Sequence, residues 1–182
     1  MHPMKIVIFG PDNSGKTTLA NMLKHKLETP WLPINTKVEL LHSPGPVSVD
    51  EQVAFMEGNL NSDSVVIFDR FPWIEESTCG RIIRNKNNFE SANWNDVCKW
   101  IRKVDLFIYC FPGIDNVLDW GEREQMQGVK ENIWKLFKAY YHLFEMLRGM
   151  KGSLNVLQYN YTDEENYKKV LEMIESEYNS RS

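Results

Sequence analysis

Residues Gly10-Pro11-Asp12-Asn13-Ser14-Gly15-Lys16-Thr17 read as glycine, four residues, then Gly-Lys-Thr, with Thr18 behind. Each fixed position has a chemical use. Gly10 and Gly15 let the backbone wrap closely, so that successive N–H groups point at one anion. A helix opening at Gly15 adds its dipole and its unpaired amides. Lys16 can reach the β- and γ-phosphates of a nucleotide, and the Thr17 hydroxyl can hold Mg²⁺. Gly10, Asn13, Ser14, Gly15, Lys16, Thr17 and Thr18 therefore form the expected cradle for the phosphates of ATP. The flanks give the motif its meaning: the apolar run Ile6-Val7-Ile8-Phe9 precedes it, and a helical pattern of Leu19, Met22, Leu23 and Leu27 follows.

A second chemical cluster is Asp69-Arg70, behind the run Ser64-Val-Val-Ile-Phe68. An acidic residue at the end of a buried strand beside a phosphate loop can act on Mg²⁺, directly or through water. Arg70, one residue on, is expected to point the other way along an extended backbone. A guanidinium beside a phosphate site suits a bidentate grip on a second phosphate. Two phosphate-bearing ligands are therefore expected. The charged, glycine-flanked stretch 121–128 carries Arg123 ahead of a long helical pattern. Such a loop can close over phosphates and exclude water, with Arg123 stabilising charge on the transferred group. Phe71 and Trp73 follow Asp69-Arg70 and are candidates to stack on a base, although aromatics more often fill cores. His42, near the end of the second expected strand, is a candidate substrate contact and, as a lone histidine, more often structural.

These groups need a scaffold that brings them together. Five apolar strands are expected at 4–9, 38–41, 64–68, 106–111 and 154–157. Helices are expected over 15–28, 49–60, 75–84, 93–103, 115–120, 129–148 and 163–178. Ser48 or Asp50 can cap the helix at 49–60. The long helix carries a stripe of Val129, Ile133, Leu136, Phe137, Tyr140, Tyr141, Phe144 and Leu147, closed by Gly149 and Gly152. Strands alternating with helices imply right-handed crossovers and a parallel sheet covered on both faces. Sites in such sheets lie beyond the carboxyl ends of the strands. The loops at Gly10 to Thr17, His42 to Pro46, Asp69-Arg70, Phe111 to Gly113 and Tyr159 to Asp163 should meet in one crevice.

The whole chain of 182 residues, 42% hydrophobic and 25% charged, reads as one domain. A net charge of −4 weighs against nucleic acid as a general partner. Cys79, Cys98 and Cys110 show no Cys-x-x-Cys spacing, which argues against zinc or a disulfide framework and for reduced thiols in the cytoplasm. No signal peptide is expected, because a strand begins by residue 5, and no apolar run reaches membrane-spanning length.

With these residues in view, the chain resembles the thymidylate kinase family of nucleoside monophosphate kinases, most of all the compact members encoded by bacteriophages. The likeness rests on Gly10 to Thr18, on Phe68-Asp69-Arg70-Phe71 with Gly80 and Arg84 downstream, and on Gln125 to Asn132 leading into Tyr141. It implies a three-layer P-loop kinase fold, with a parallel sheet ordered 2-3-1-4-5 and a small lid. It implies transfer of the ATP γ-phosphate to a deoxynucleoside monophosphate, dTMP first, with Mg²⁺ held by Thr17 and Asp69. By resemblance, Asp12 contacts the deoxyribose, Arg70 and Phe71 belong to the acceptor site with His42 nearby, and Lys16, Asp69, Arg70 and Arg123 are catalytic. Family members form dimers, which raises a homodimer here.

The departures are informative. Some members carry an arginine inside the phosphate loop, where this chain has Asn13, and others place the basic group on the lid; this chain matches the second kind. Cellular members carry Arg-Glu-Pro after the second strand, where this chain has His42-Ser43-Pro44. After Asp-Arg-aromatic a Ser and a later Tyr are usual; here stand Glu75-Glu76-Ser77 and Cys79. These differences open the acceptor to alternatives, a nucleoside or a modified base in DNA. A nucleotide-dependent switch is disfavoured, because Asp69-Arg70-Phe71-Pro72 is no Asp-x-x-Gly, and Asn85-Lys86-Asn87-Asn88 is no Asn-Lys-x-Asp.

Overall fold

The computed structural model describes residues 3–29, 37–90, 92–119, 127–150 and 154–180. Five strands, β1 (Lys5–Phe9), β2 (Val38–His42), β3 (Val65–Asp69), β4 (Leu106–Cys110) and β5 (Asn155–Tyr159), form one sheet in the order β2-β3-β1-β4-β5. All four pairings are parallel. β1, β3 and β4 are buried at every position, as the continuous apolar runs require when both faces are covered.

Two cores follow from the period-two alternation of those strands. Val7, Phe9, Val66, Phe68, Phe107 and Tyr109 face helices α2 (Val49–Leu60), α5 (Trp94–Ile101) and α7 (Val129–Gly149). Ile6, Ile8, Ile67, Leu106, Ile108 and Cys110 face helices α1 (Lys16–Leu27) and α8 (Glu164–Asn179). Each such side chain, fully buried, contributes about 1.5–3 kcal/mol of transfer free energy. The helix ends are read from local chemistry. Ser48 starts α2 with a reciprocal capping box to Glu51, and Asn93 caps α5 through its side chain.

The expected helix at 75–84 is different in detail. It begins earlier, as α3 (Pro72–Glu75), passes through a π-helical turn at Glu76–Gly80 and ends as α4 (Arg81–Ile83). Pro72 occupies the first helical position, where its missing N–H costs nothing and its fixed φ suits the helix. Around the π turn, the buried Glu76 carboxylate receives Arg84, Gln52 Nε2 and the Asn88 amide. A Cβ on Gly80 would lie 2.7 Å from the Glu76 carboxylate and 2.8 Å from both Arg84 and the Lys86 carbonyl, so glycine is required there. The remaining short helix, α6 (Ile114–Leu118), follows β4. Tyr141, placed in the apolar stripe of α7, is 55% exposed; the buried face uses Leu143 instead. Gly152 lies outside the described residues.

Candidate active site

The register of the sheet decides which loops meet. Ile8 pairs with Asp69, Phe9 with Tyr109, and Cys110 with Tyr159. The chain therefore leaves β1, β3, β4 and β5 at one level, and the segments after β1, β3 and β5 line a cleft of about 550 Å³. Its walls include Asn13 to Thr18, Met22, Arg70, Tyr159 and Tyr161.

Two glycines make the phosphate loop possible. Gly10 has φ +143, and a Cβ there would stand 2.4 Å from the Cys110 carbonyl oxygen. Gly15 has φ +84 and caps α1, and the Tyr161 ring packs so close that a Cβ on Gly15 would be 2.8 Å from it. No acidic residue stands in the first turn of α1 and no side chain caps it, so the positive end of its dipole is presented to the cleft. Ser14 Oγ is buried without a hydrogen-bond partner among the described residues. Lys16 is buried and donates to the Pro11 carbonyl at 2.5 Å, with Asp12 Oδ1 at 3.9 Å. Burial and the Arg70 charge push the Lys16 pKa down, and Asp12 opposes them.

Asp69 is 1% exposed. Its Oδ2 accepts from Thr17 Oγ1 at 2.7 Å and lies 3.1 Å from Nδ1 of the exposed His42. Its Oδ1 is buried and without a partner among the described residues. A carboxylate oxygen so placed beside a threonine hydroxyl fits Mg²⁺, which takes one or two protein oxygens and completes its shell with phosphate and water. Among the described residues no group of three or more His, Cys, Asp or Glu could hold a metal by itself.

Arg70 departs from its expected direction. Its φ is +75, so its backbone is not extended, and its N–H is tied to the Ile8 carbonyl at 3.0 Å. That turn sends the guanidinium into the same crevice as Asp69, where NH2 donates to Asp12 Oδ1 at 2.8 Å. Glu75 Oε2 faces NH1 at 3.5 Å. Burial works against the Arg70 charge, but Glu75 and Asp12 outweigh it and hold the guanidinium protonated. Burial pushes the Glu75 carboxyl up from its ordinary range; Arg70, Lys16 and a hydrogen bond from Tyr140 only partly offset this, and Asp12 adds to it. A raised acid pKa means that the folded state binds the proton more tightly than the unfolded one. Its stabilising contribution is full below the ordinary glutamate pKa and is lost as pH rises through the folded value. Glu75→Gln is therefore expected to melt higher than the wild type at neutral pH, with the difference shrinking toward pH 4.5, about the ordinary value. Thermal melts across that range check it.

Other candidates fall differently. Phe71 is fully buried, edge-on to Phe68 at 5.3 Å between centroids. As a core residue it presents no face to a base, which corrects its placement in the acceptor site. Trp73 is buried beside it. The Asn13 side chain turns to the end of α6, donating to the carbonyls of Asn116 at 3.0 Å and Asp119 at 2.8 Å. Thr17 and Thr18 are exposed on the cleft wall. Arg123 and positions 121–126 of the expected lid lie outside the described residues; Gly128, at φ +86, caps α7. Burial raises the thiols of Cys79 to about 11 and Cys110 to about 12, so neither is a nucleophile at neutral pH. Sequence reasoning did not single out Glu75, and it placed Tyr161 in the crevice only as part of the loop Tyr159 to Asp163. Glu75 meets Arg70 only because α3 begins at Pro72, and Tyr161 meets Gly15 only through the sheet order.

No family model and no curated protein sequence matches the chain. Solved structures do match it along nearly its whole length. The YorR protein from Bacillus subtilis, in complex with phosphorylated GDP, aligns with TM-score 0.67 and 16% identity, covering 97% of this chain and 98% of that one. The thymidylate kinase from Candida albicans aligns with TM-score 0.58 and 15% identity, covering 98% and 93%. The chain has the P-loop kinase fold. The deoxyadenosine kinase from M. mycoides, bound to dCMP and dCDP products, aligns with TM-score 0.53 and 17% identity, covering 98% and 100%. No helix among the described residues is long and apolar enough to cross a membrane.

Proposed function

We propose that the chain transfers the γ-phosphate of ATP to a deoxynucleoside monophosphate, with dTMP the first candidate. One observation carries the reading: Arg70 and the phosphate loop stand in one cleft, joined through Asp12. A loop built for one polyphosphate, with a guanidinium bound to that loop beside it, is an arrangement for two phosphate-bearing ligands. The fold neighbours that bind or phosphorylate nucleotides support the same reading.

The roles follow from position. The loop amides and Lys16 hold the donor phosphates and balance charge as the phosphoryl group moves. Arg70 holds the acceptor phosphate, and Asp12, already on Arg70, reaches the sugar. Asp69 and Thr17 would hold Mg²⁺, which supplies further charge neutralisation on the phosphates. Arg123 is the proposed lid arginine. Arg123→Ala is expected to lower kcat by about 10²-fold or more with little change in acceptor KM. A change confined to acceptor KM would move Arg123 out of that role.

A nucleoside acceptor is the second reading. It is favoured by the two carboxylates that already face Arg70, Asp12 and Glu75. The deciding experiment is ADP release measured against a panel of nucleoside monophosphates, nucleosides and oligonucleotides. Acceptor-dependent ADP with monophosphates supports the first reading. ADP only with nucleosides supports the second, and none with any acceptor rejects both.

A further inference from the structure

Arg70 carries the acceptor end of the cleft, and its guanidinium is anchored twice. Asp12 Oδ1 accepts from NH2 at 2.8 Å, and Glu75 Oε2 lies 3.5 Å from NH1. The two anchors belong to different elements, the phosphate loop and α3. The Glu75 side chain is 13% exposed against 35% for Arg70, so the carboxyl lies on the enclosed side of the pair. Glu75 is itself fixed: the buried Tyr140 hydroxyl donates to its Oε1 at 3.0 Å, and that hydroxyl lies 3.3 Å from Cys79 Sγ.

A guanidinium is a planar fork with five N–H donors. One anchor leaves the plane free to turn about that bond. A second anchor at another nitrogen sets the plane, and the donors left over keep one direction. Bidentate recognition of a phosphate depends on that direction more than on the charge itself. The Glu75 carboxyl meets Arg70 from the enclosed side of the pair, which leaves the more exposed donors of the guanidinium to a phosphate. The groups facing that carboxyl are Arg70, Lys16, Asp12, Tyr140 and Cys79.

We propose that Glu75 is a positioning residue for the acceptor: held by Tyr140, it sets the plane of the Arg70 guanidinium for the acceptor phosphate. The inference rests on the proposed monophosphate acceptor. Its test is equilibrium binding of dTMP, and separately of MgATP, to the full chain and to Glu75→Ala, Glu75→Gln and Tyr140→Phe. Glu75→Ala is expected to weaken dTMP by about tenfold or more, the scale of a lost charged hydrogen bond. Glu75→Gln can offer its carbonyl to Arg70 and its amide to the Tyr140 oxygen, and should stay within about threefold of wild type. Tyr140→Phe should fall between them. MgATP affinity should hold within about twofold in all three, because the phosphate loop is untouched.

Equal losses of dTMP and MgATP binding would mean a general structural role and overturn the proposal. So would Glu75→Ala binding dTMP as the wild type does. If Glu75→Ala fails to fold, the nearly isosteric Tyr140→Phe decides by the same comparison. A wild type that binds no monophosphate removes the proposed function and this inference together. A wild type that binds dTMP, with variants that bind it equally, removes this inference alone.

Discussion

Lys16→Ala is expected to lower turnover by about 10³-fold or more, some 4 kcal/mol of barrier, while the fold persists. The ammonium sits in the wall of the cleft, 4% exposed, with one carbonyl contact at 2.5 Å and Asp12 at 3.9 Å. Its lowered pKa carries a stability sign. The folded state binds that proton less tightly than the unfolded chain, so the charged lysine disfavours folding at neutral pH. Removing it should therefore leave the melting temperature nearly unchanged or raise it, apart from the packing lost with the stem. Steady-state ADP release and a thermal melt on one preparation separate the two effects. Turnover within about tenfold of wild type would take the phosphate loop out of the chemistry.

The second large effect is expected at Asp69. Asp69→Asn keeps the shape and can still accept from Thr17 Oγ1, so the strand end should hold. What it loses is the charge around Oδ1, the buried oxygen with no partner among the described residues. If that oxygen acts on Mg²⁺, turnover should fall by about 10²-fold or more, and half-saturation should need at least about tenfold more Mg²⁺. A magnesium titration of ADP release reads both. An unchanged titration curve would leave Asp69 only the task of holding Thr17 and His42.

The scaffold was largely legible in the sequence because its signals are local. Ser48 marks the start of α2, and the unbroken run Val65 to Phe68 reads as an interior strand. The phosphate loop announces itself through glycines whose positive φ the structure shows. The errors arise where long-range packing overrides local pattern. Tyr141 lies four residues after Phe137, but the buried face of α7 runs from Leu136 through Tyr140 and Leu143 to Leu147 and leaves it exposed. Arg70 seemed bound for the opposite side until its backbone adopted a left-handed conformation that no neighbouring residue predicts. Phe71 looked available for a base because it follows Arg70, but the same left-handed turn is followed by a ring driven into the core. Glu75 was visible only as a departure from a family pattern. Its meaning required knowing that Tyr140, 65 residues on, closes behind it.

The cradle at residues 10–17 also has a consequence for synthesis. Gly10 packs on the Cys110 carbonyl, Asn13 is held by carbonyls from Asn116 to Asp119, and Gly15 lies under Tyr161. The glycine-lysine loop is thus completed by segments that lie roughly 100 residues or more further along the chain. Contacts across 100 or so residues close slowly, because loop entropy must be lost before they form. A nascent chain ending before residue 106 holds the whole glycine-lysine motif and lacks the partners that shape it. Until β4 is made, the edge of β1 that it covers in the finished sheet stays open to other pairing.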